Sequence, residues 1–284
     1  MNLKRAAAVM LSLMLTISLA ACGSEAAPDE HEGQVYVNTG GSYEWITPAE
    51  GVAASVFKEE DFDLTGGWPE YTGAEYTARR GVDVSFYQGE IDWEAVAADG
   101  IEFAMIRCGY RGSETGQLVV DEQFEANIAG AIEAGLDVGV YFFSQSMGAV
   151  EAAEEALFVL ELIEPYEVTM PVAFDWEPIS GSRAEDIDRE ELTASAVVFC
   201  EMVKDAGYVP CVYLYRYTGY YEYLMERLGG YELWVGAVGS WPDFYYEHTL
   251  WQFSYTGKVA GIPADVDLDI QFIPRPGDTE IPPP

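Results

Sequence analysis

"PVAFDWEPIS", residues 171–180, is an apolar run that ends in two carboxylates, Asp175 and Glu177, on either side of Trp176. Read as a β-strand, its side chains alternate between faces, so residues two apart look the same way. Val172, Phe174 and Trp176 then pack outward, and Ala173, Asp175 and Glu177 share the inner face. Acid-x-acid pairs also occur at Asp92/Glu94, Asp186/Asp188 and Asp278/Glu280, so spacing alone carries little. Position singles this pair out, because two charges at the end of a buried strand are costly to keep without a task.

Outward from this strand the chain alternates apolar runs with amphipathic stretches. Upstream lie "RRGVDVSFYQ" (79–88), "IEFAMIRCGY" (101–110) and "DVGVYFFSQS" (137–146) as strands. Between them, "IDWEAVAADG" (91–100), "DEQFEANIAGAIEAGL" (121–136) and "GAVEAAEEALFVLELI" (148–163) carry helical spacing, with Gly100 and Gly135 as stops. Downstream come a helix over 189–207, a strand at "YVPCVYLY" (208–215), a shorter helix near 219–230, and apolar segments at 231–238, 249–255 and 266–272. Repeated strand–helix units argue for a parallel sheet, and about eight strands argue for closure into a barrel. The expected fold is α/β, an irregular (β/α) barrel of TIM-barrel type with a strand-rich last third.

Functional groups of such barrels collect at the C-terminal strand ends, which puts Asp175 and Glu177 at the mouth. Asp83 and Ser85 share a face of "GVDVS", and Asp265, Asp267 and Asp269 share a face of the last strand. First and last strands of a closed barrel are neighbours, so these acids can meet the pair from the other side. "VYFF" (140–143), "VYLYRY" (212–217) and "LWQF" (250–253) supply walls, with Tyr141, Phe143, Tyr213, Tyr215, Trp251 and Gln252 as candidate ligand-binding residues. Carboxylates with aromatic faces suit a sugar, and the chemistry such a group performs is protonation of a glycosidic oxygen beside an oxocarbenium-like centre.

The 284 residues carry 49 acidic and 14 basic side chains, a net charge of -35, which opposes binding to nucleic acid or anionic headgroups. Lys4 and Arg5, an apolar stretch and "LAAC" (19–22) form an export signal resembling a bacterial lipobox, which implies cleavage before Cys22 and a lipid on its sulfur. The expected organisation is a signal peptide over 1–21, a lipid-anchored spacer over 22–79 with order from about residue 45, the barrel over 80–273, and a Pro-rich tail over 274–284. Cys108, Cys200 and Cys211 lie in apolar contexts and read as buried thiols, with Cys200–Cys211 as the alternative disulfide. With two histidines and no CxxC pair, no metal is expected.

"RGVDVSFYQGEIDW", "FAMIRCGYRG", "DEQFEANIAGAIEAGLDVGVYFFSQ", "PVAFDWE", "AGYVPCVYLY" and "LWQFSYTGKVAGIPADVDLDI", in this order, resemble the glycoside hydrolase family 25 lysozymes, the N-acetylmuramidases of peptidoglycan. The resemblance implies an irregular (β/α) barrel that cleaves the β-1,4 bond from N-acetylmuramic acid to N-acetylglucosamine with no cofactor. It also implies Glu177 as proton donor, Asp175 as an ionised orienting group, and Asp83 and Asp267 as the flanking acids, with Tyr141 bounding the sugar. Two positions depart from the family's pattern: Asp269 stands where an asparagine is usual, and "LWVGAVG" (233–239) lacks a tyrosine after its alanine. The expected partners are peptidoglycan strands and, through the lipid, the outer face of the cell membrane, with the protein a monomer. The rival reading is a catalytically silent wall-glycan-binding lipoprotein.

Overall fold

The structure, a computed structural model, describes residues 30–276. The signal segment, Cys22 and residues 277–284 of the tail lie outside them. Residues 33–276 form one compact unit.

Two small hairpins come first, β1 (Val35–Asn38) with β2 (Tyr43–Ile46), and β3 (Phe62–Asp63) with β4 (Glu70–Tyr71). The first lies inside the stretch read as spacer, ten residues before the expected onset of order. Then follow β5 (Tyr76–Val84), α1 (Trp93–Ala98), β6 (Phe103–Arg111), β7 (Leu118–Val120), α2 (Phe124–Glu133), β8 (Asp137–Ser144), α3 (Ala149–Ile163) and β9 (Val172–Trp176). The chain continues through α4 (Arg189–Asp205), β10 (Pro210–Tyr215), α5 (Arg216–Tyr221), β11 (Glu232–Gly236), β12 (Leu250–Gly257) and β13 (Val266–Pro274).

Eight strands close a barrel in the order β5-β13-β12-β11-β10-β9-β8-β6, with β6 returning to pair with β5, and β7 hangs on β6 as an antiparallel flap. Pairing is parallel from β5 round to β12, while β13 runs antiparallel to both neighbours. Helices follow the strands as far as α5 and then stop, so the barrel is closed but lacks the regular alternation of a (β/α)₈ fold. Asp92 and Asp188 cap α1 and α4, each side chain accepting from the backbone N–H three residues on.

Alternation along the strands sorts side chains into two cores. Outside the sheet, Val172, Phe174 and Trp176 of β9 pack beneath the helices, and Phe174 meets Phe199 of α4 at 5.5 Å between ring centroids. Inside, Phe103, Met105, Ala173, Cys211, Trp234 and Leu250 fill the barrel below the mouth. A Cβ on Gly81 would stand 2.2 Å from the Phe103 ring, so glycine there leaves the room this plug needs. Cys108, Cys200 and Cys211 are buried free thiols, and no Cys200–Cys211 disulfide forms. Among the described residues, no helix is long and apolar enough to cross a membrane.

Candidate active site

The mouth of the barrel is a cavity of about 900 Å³ whose lining includes Asp83, Asp175, Glu177 and Asp267. Asp83 is the last residue but one of β5, and Asp175 and Glu177 lie at and just beyond the end of β9. Asp267 arrives differently: because β13 is antiparallel, the start of that strand reaches the mouth, and Asp267 sits directly across from Asp83. Asp269, two residues further along β13, lies one layer deeper and is fully buried. Asp265 stands at the exposed rim, its carboxylate paired with Lys258 at 2.5 Å. The three last-strand acids therefore have three distinct environments.

Gln252 of β12 ties the acids of this wall together. Its Nε2 donates to Asp83 Oδ2 at 2.7 Å and to Asp267 Oδ2 at 3.3 Å, while its Oε1 accepts from Tyr213 OH at 2.7 Å. Below it, Trp234 Nε1 donates to Asp269 Oδ1 at 2.8 Å. Asp269 Oδ2 is buried without a hydrogen-bond partner. Burial pushes Asp83 well above the usual carboxylate range, reinforced by the charges of Asp269 and Asp267 and opposed by the Gln252 bond. Burial also raises Asp269 to about 8 and Asp267 to about 6.

On the facing wall the pair is barely held. Asp175 Oδ1 is buried without a hydrogen-bond partner, and among the described residues none donates to the Glu177 side chain, although the Glu177 backbone carbonyl accepts from Gln145 Nε2 at 3.0 Å. Burial, then the charge of Glu177, pushes Asp175 well above its ordinary value, with Arg107 opposing. Burial and then Asp267 raise Glu177. Asp175 is the deeper of the two, so the burial that favours the protonated form weighs more on it than on Glu177.

Tyr141, Phe143, Tyr213 and Tyr215 line the cavity as read from the sequence. Trp251 does not: it is buried on the outer side of β12, where its ring stacks on Phe272 and its Nε1 donates to the Ala237 carbonyl at 2.9 Å. Neighbours in a strand face opposite ways, so Gln252 inside forces Trp251 outside. Gln252 in turn has its amide committed to protein groups.

Among the lining residues that escaped the sequence reading are Arg107, Trp234 and Tyr255. Arg107, mostly buried, places its Nε 2.7 Å from Asp121 Oδ2 and its guanidinium over the rings of Phe86 and Tyr87, leaving Nη2 without a partner. Its signal is a cation in the middle of an apolar strand, two residues from inward-facing Met105. Trp234 and Tyr255 complete the walls. Among the described residues, no group of three or more His, Cys, Asp or Glu side chains is arranged to hold a metal ion.

Residues 82–262 match the sequence profile of glycosyl hydrolases family 25. The chain is 27% identical over 192 residues to an autolytic lysozyme of Clostridium acetobutylicum, a match covering 67% of this chain and 55% of that protein. It is 26% identical over 274 residues to lysozyme M1 of Streptomyces globisporus, covering 91% and 86% of the two chains. Among solved structures, a family 25 glycosyl hydrolase of Bacillus anthracis superposes with a TM-score of 0.56 at 25% identity, covering 69% of this chain and 89% of that one.

Proposed function

The chain belongs to glycosyl hydrolases family 25, and from this premise we propose that it is a peptidoglycan hydrolase of the lysozyme type, cleaving the β-1,4 bond between N-acetylmuramic acid and N-acetylglucosamine. The observation that carries the reading is the unpartnered carboxyl pair of Asp175 and Glu177 in a ring-lined cavity. Lysozymes among its relatives support it.

In this reading Glu177, the less buried member, gives its proton to the glycosidic oxygen as the bond from C1 of N-acetylmuramic acid breaks. The substrate's own acetamido oxygen closes onto C1, and Asp175 Oδ1 accepts the acetamido N–H. Accepting that bond favours the ionised form of Asp175, which leaves the remaining proton of the pair on Glu177. Water then opens the cyclic intermediate at C1, its proton returns to Glu177, and the configuration at C1 is retained. Asp83 and Asp267 set the field around the pair, Tyr141 bounds the sugar at the cleavage point, and Phe143, Tyr213 and Tyr215 line its path. A lipid on Cys22 would tether a monomeric enzyme outside the cytoplasmic membrane, within reach of wall strands.

Digestion of purified peptidoglycan, followed by borohydride reduction and mass spectrometry of the fragments, tests the activity. New reducing N-acetylmuramic acid ends made by the parent and not by Glu177→Gln are expected. Reducing N-acetylglucosamine ends would overturn the bond assignment, and binding without new ends would establish the silent wall-binding reading instead. Retention is tested by NMR of the first product, where the α-anomer would sink acetamido participation. Mass spectrometry of the membrane-extracted protein, finding no diacylglyceryl adduct on Cys22, would refute the anchor.

A further inference from the structure

We propose that the β1–β2 hairpin is a second glycan-binding surface, continuous with the cavity, on which aromatic rings stack against the C–H faces of sugars in a long peptidoglycan strand; the proposal rests on reading the cavity as a glycan site. The hairpin lies outside the residues that match the family profile, which begin at Val82.

Alternation in the hairpin places its residues against the usual order. Val37 is buried, and Val35 and Ile46 pack with it against the barrel. The opposite face carries Tyr36, Tyr43 and Trp45, with Tyr36 paired to Trp45 and Asn38 to Tyr43 in the register. The Tyr36 ring lies 5.6 Å from that of Tyr43 and 5.1 Å from that of Trp45, while Tyr36 and Tyr43 stay 58% and 59% exposed. Small aliphatic residues thus face inward and the largest rings face water. A contiguous exposed apolar patch on a folded chain marks a binding surface.

The platform is held in place before anything binds. Asn38 Nδ2 donates to Asp243 Oδ2 at 2.9 Å, and Asp243 Oδ1 accepts from Arg216 Nε. In the turn, the Thr39 N–H and hydroxyl both donate to the Ser42 carbonyl, at 2.8 and 3.0 Å. Tyr221 OH donates to Glu44 across the hairpin's edge. Rings held in position lose little freedom when a ligand arrives, which raises affinity.

Continuity with the cavity names the occupant. Thr39 and Gly40 at the hairpin turn line the cavity beside Arg216 and Tyr217. Tyr217 is half exposed and lies 5.0 Å from Tyr221, the residue bonded to the hairpin. A strand leaving the cavity past Tyr217 would run directly onto the hairpin. A chain of net charge -35 gains no attraction to an anionic polymer from its charge, whereas ring stacking on C–H faces needs none.

The test uses the full chain carrying Glu177→Gln, with and without Tyr36→Thr and Tyr43→Thr, threonine keeping the β preference of the hairpin. The probes are long peptide-free glycan strands, a muropeptide-derived tetrasaccharide and vesicles of acidic phospholipid. The double substitution should weaken long-strand binding about tenfold, the equivalent of about 1.4 kcal/mol, with tetrasaccharide affinity and melting temperature unchanged. Unchanged long-strand affinity would overturn the proposal, as would an equal loss for the tetrasaccharide, loss of vesicle binding alone, or a lower melting temperature with binding intact. Cleavage by the parent protein is scored separately: its absence would refute the lysozyme reading, and the binding result would still decide the platform.

Discussion

On the β5–β13 wall of the cavity the acids at the mouth are held by the protein: Gln252 bonds Asp83 and Asp267, while below them Trp234 bonds one oxygen of Asp269 and the other stays buried without a partner. On the β9 wall Asp175 keeps a buried oxygen with no partner, and the Glu177 side chain faces the same open space. Burial raises the acids of both walls, so charge state alone does not separate them. Hydrogen bonding does. A carboxyl satisfied within the fold serves as a fixed part of the field, and one left unsatisfied is available to a ligand.

The largest effect expected from this contrast is on Glu177. Glu177→Gln should lower the rate of reducing-end release about 10³-fold while circular dichroism stays unchanged; a loss under tenfold would mean that another acid donates the proton. Asp175→Asn should cost about 10²-fold in kcat with little change in glycan binding, because the amide keeps the shape and loses the charge. Equal loss in both walls' variants would erase the distinction between them.

Asp269→Asn should act on pH dependence more than on rate. In the fold this carboxyl is raised from its ordinary 3.8 to about 8, so between those values the folded chain binds the more protons. Stability from this group is therefore full below about pH 4 and declines as pH rises toward 8. Melting curves should show a shallower decline across that window for the variant, and parallel curves would mean that Asp269 does not titrate within it. The smallest effect on activity belongs to Trp251→Phe, which should destabilise the outer core by about 1–2 kcal/mol and leave specific activity within about twofold. A larger loss of activity would place Trp251 in contact with the site after all.

Much of this was legible before the structure. Apolar alternation in residues 171–177 located the pair, because a strand buried on both sides leaves charge only at its open end. Asp83 followed from the same logic. Asp267 was legible as a residue but not in its route to the mouth, since direction within a sheet comes from closure and not from local pattern. Trp251 was misjudged for composition, an aromatic beside a polar residue, although adjacent strand residues cannot both face in. The β1–β2 hairpin went unread because "NTGGS" (38–42) and nearby acids look like linker, while the alternation of "VYVN" and "YEWI" around it is four residues on each side. Such short strands gain their stability from the barrel beneath, which no local window contains.

The antiparallel β13 also sets the order in which the protein can be made functional. Asp83 and Asp267 face each other across the seam between β5 and β13, although 184 residues of chain separate them. A nascent chain that has not yet extruded Val266 has seven of its eight staves, an open seam, and only one of the two acids that Gln252 joins. Such non-local pairing is a slow, late step. A site assembled this way is incomplete in any chain that stops before β13, because closure of the last strand and completion of the site are the same event.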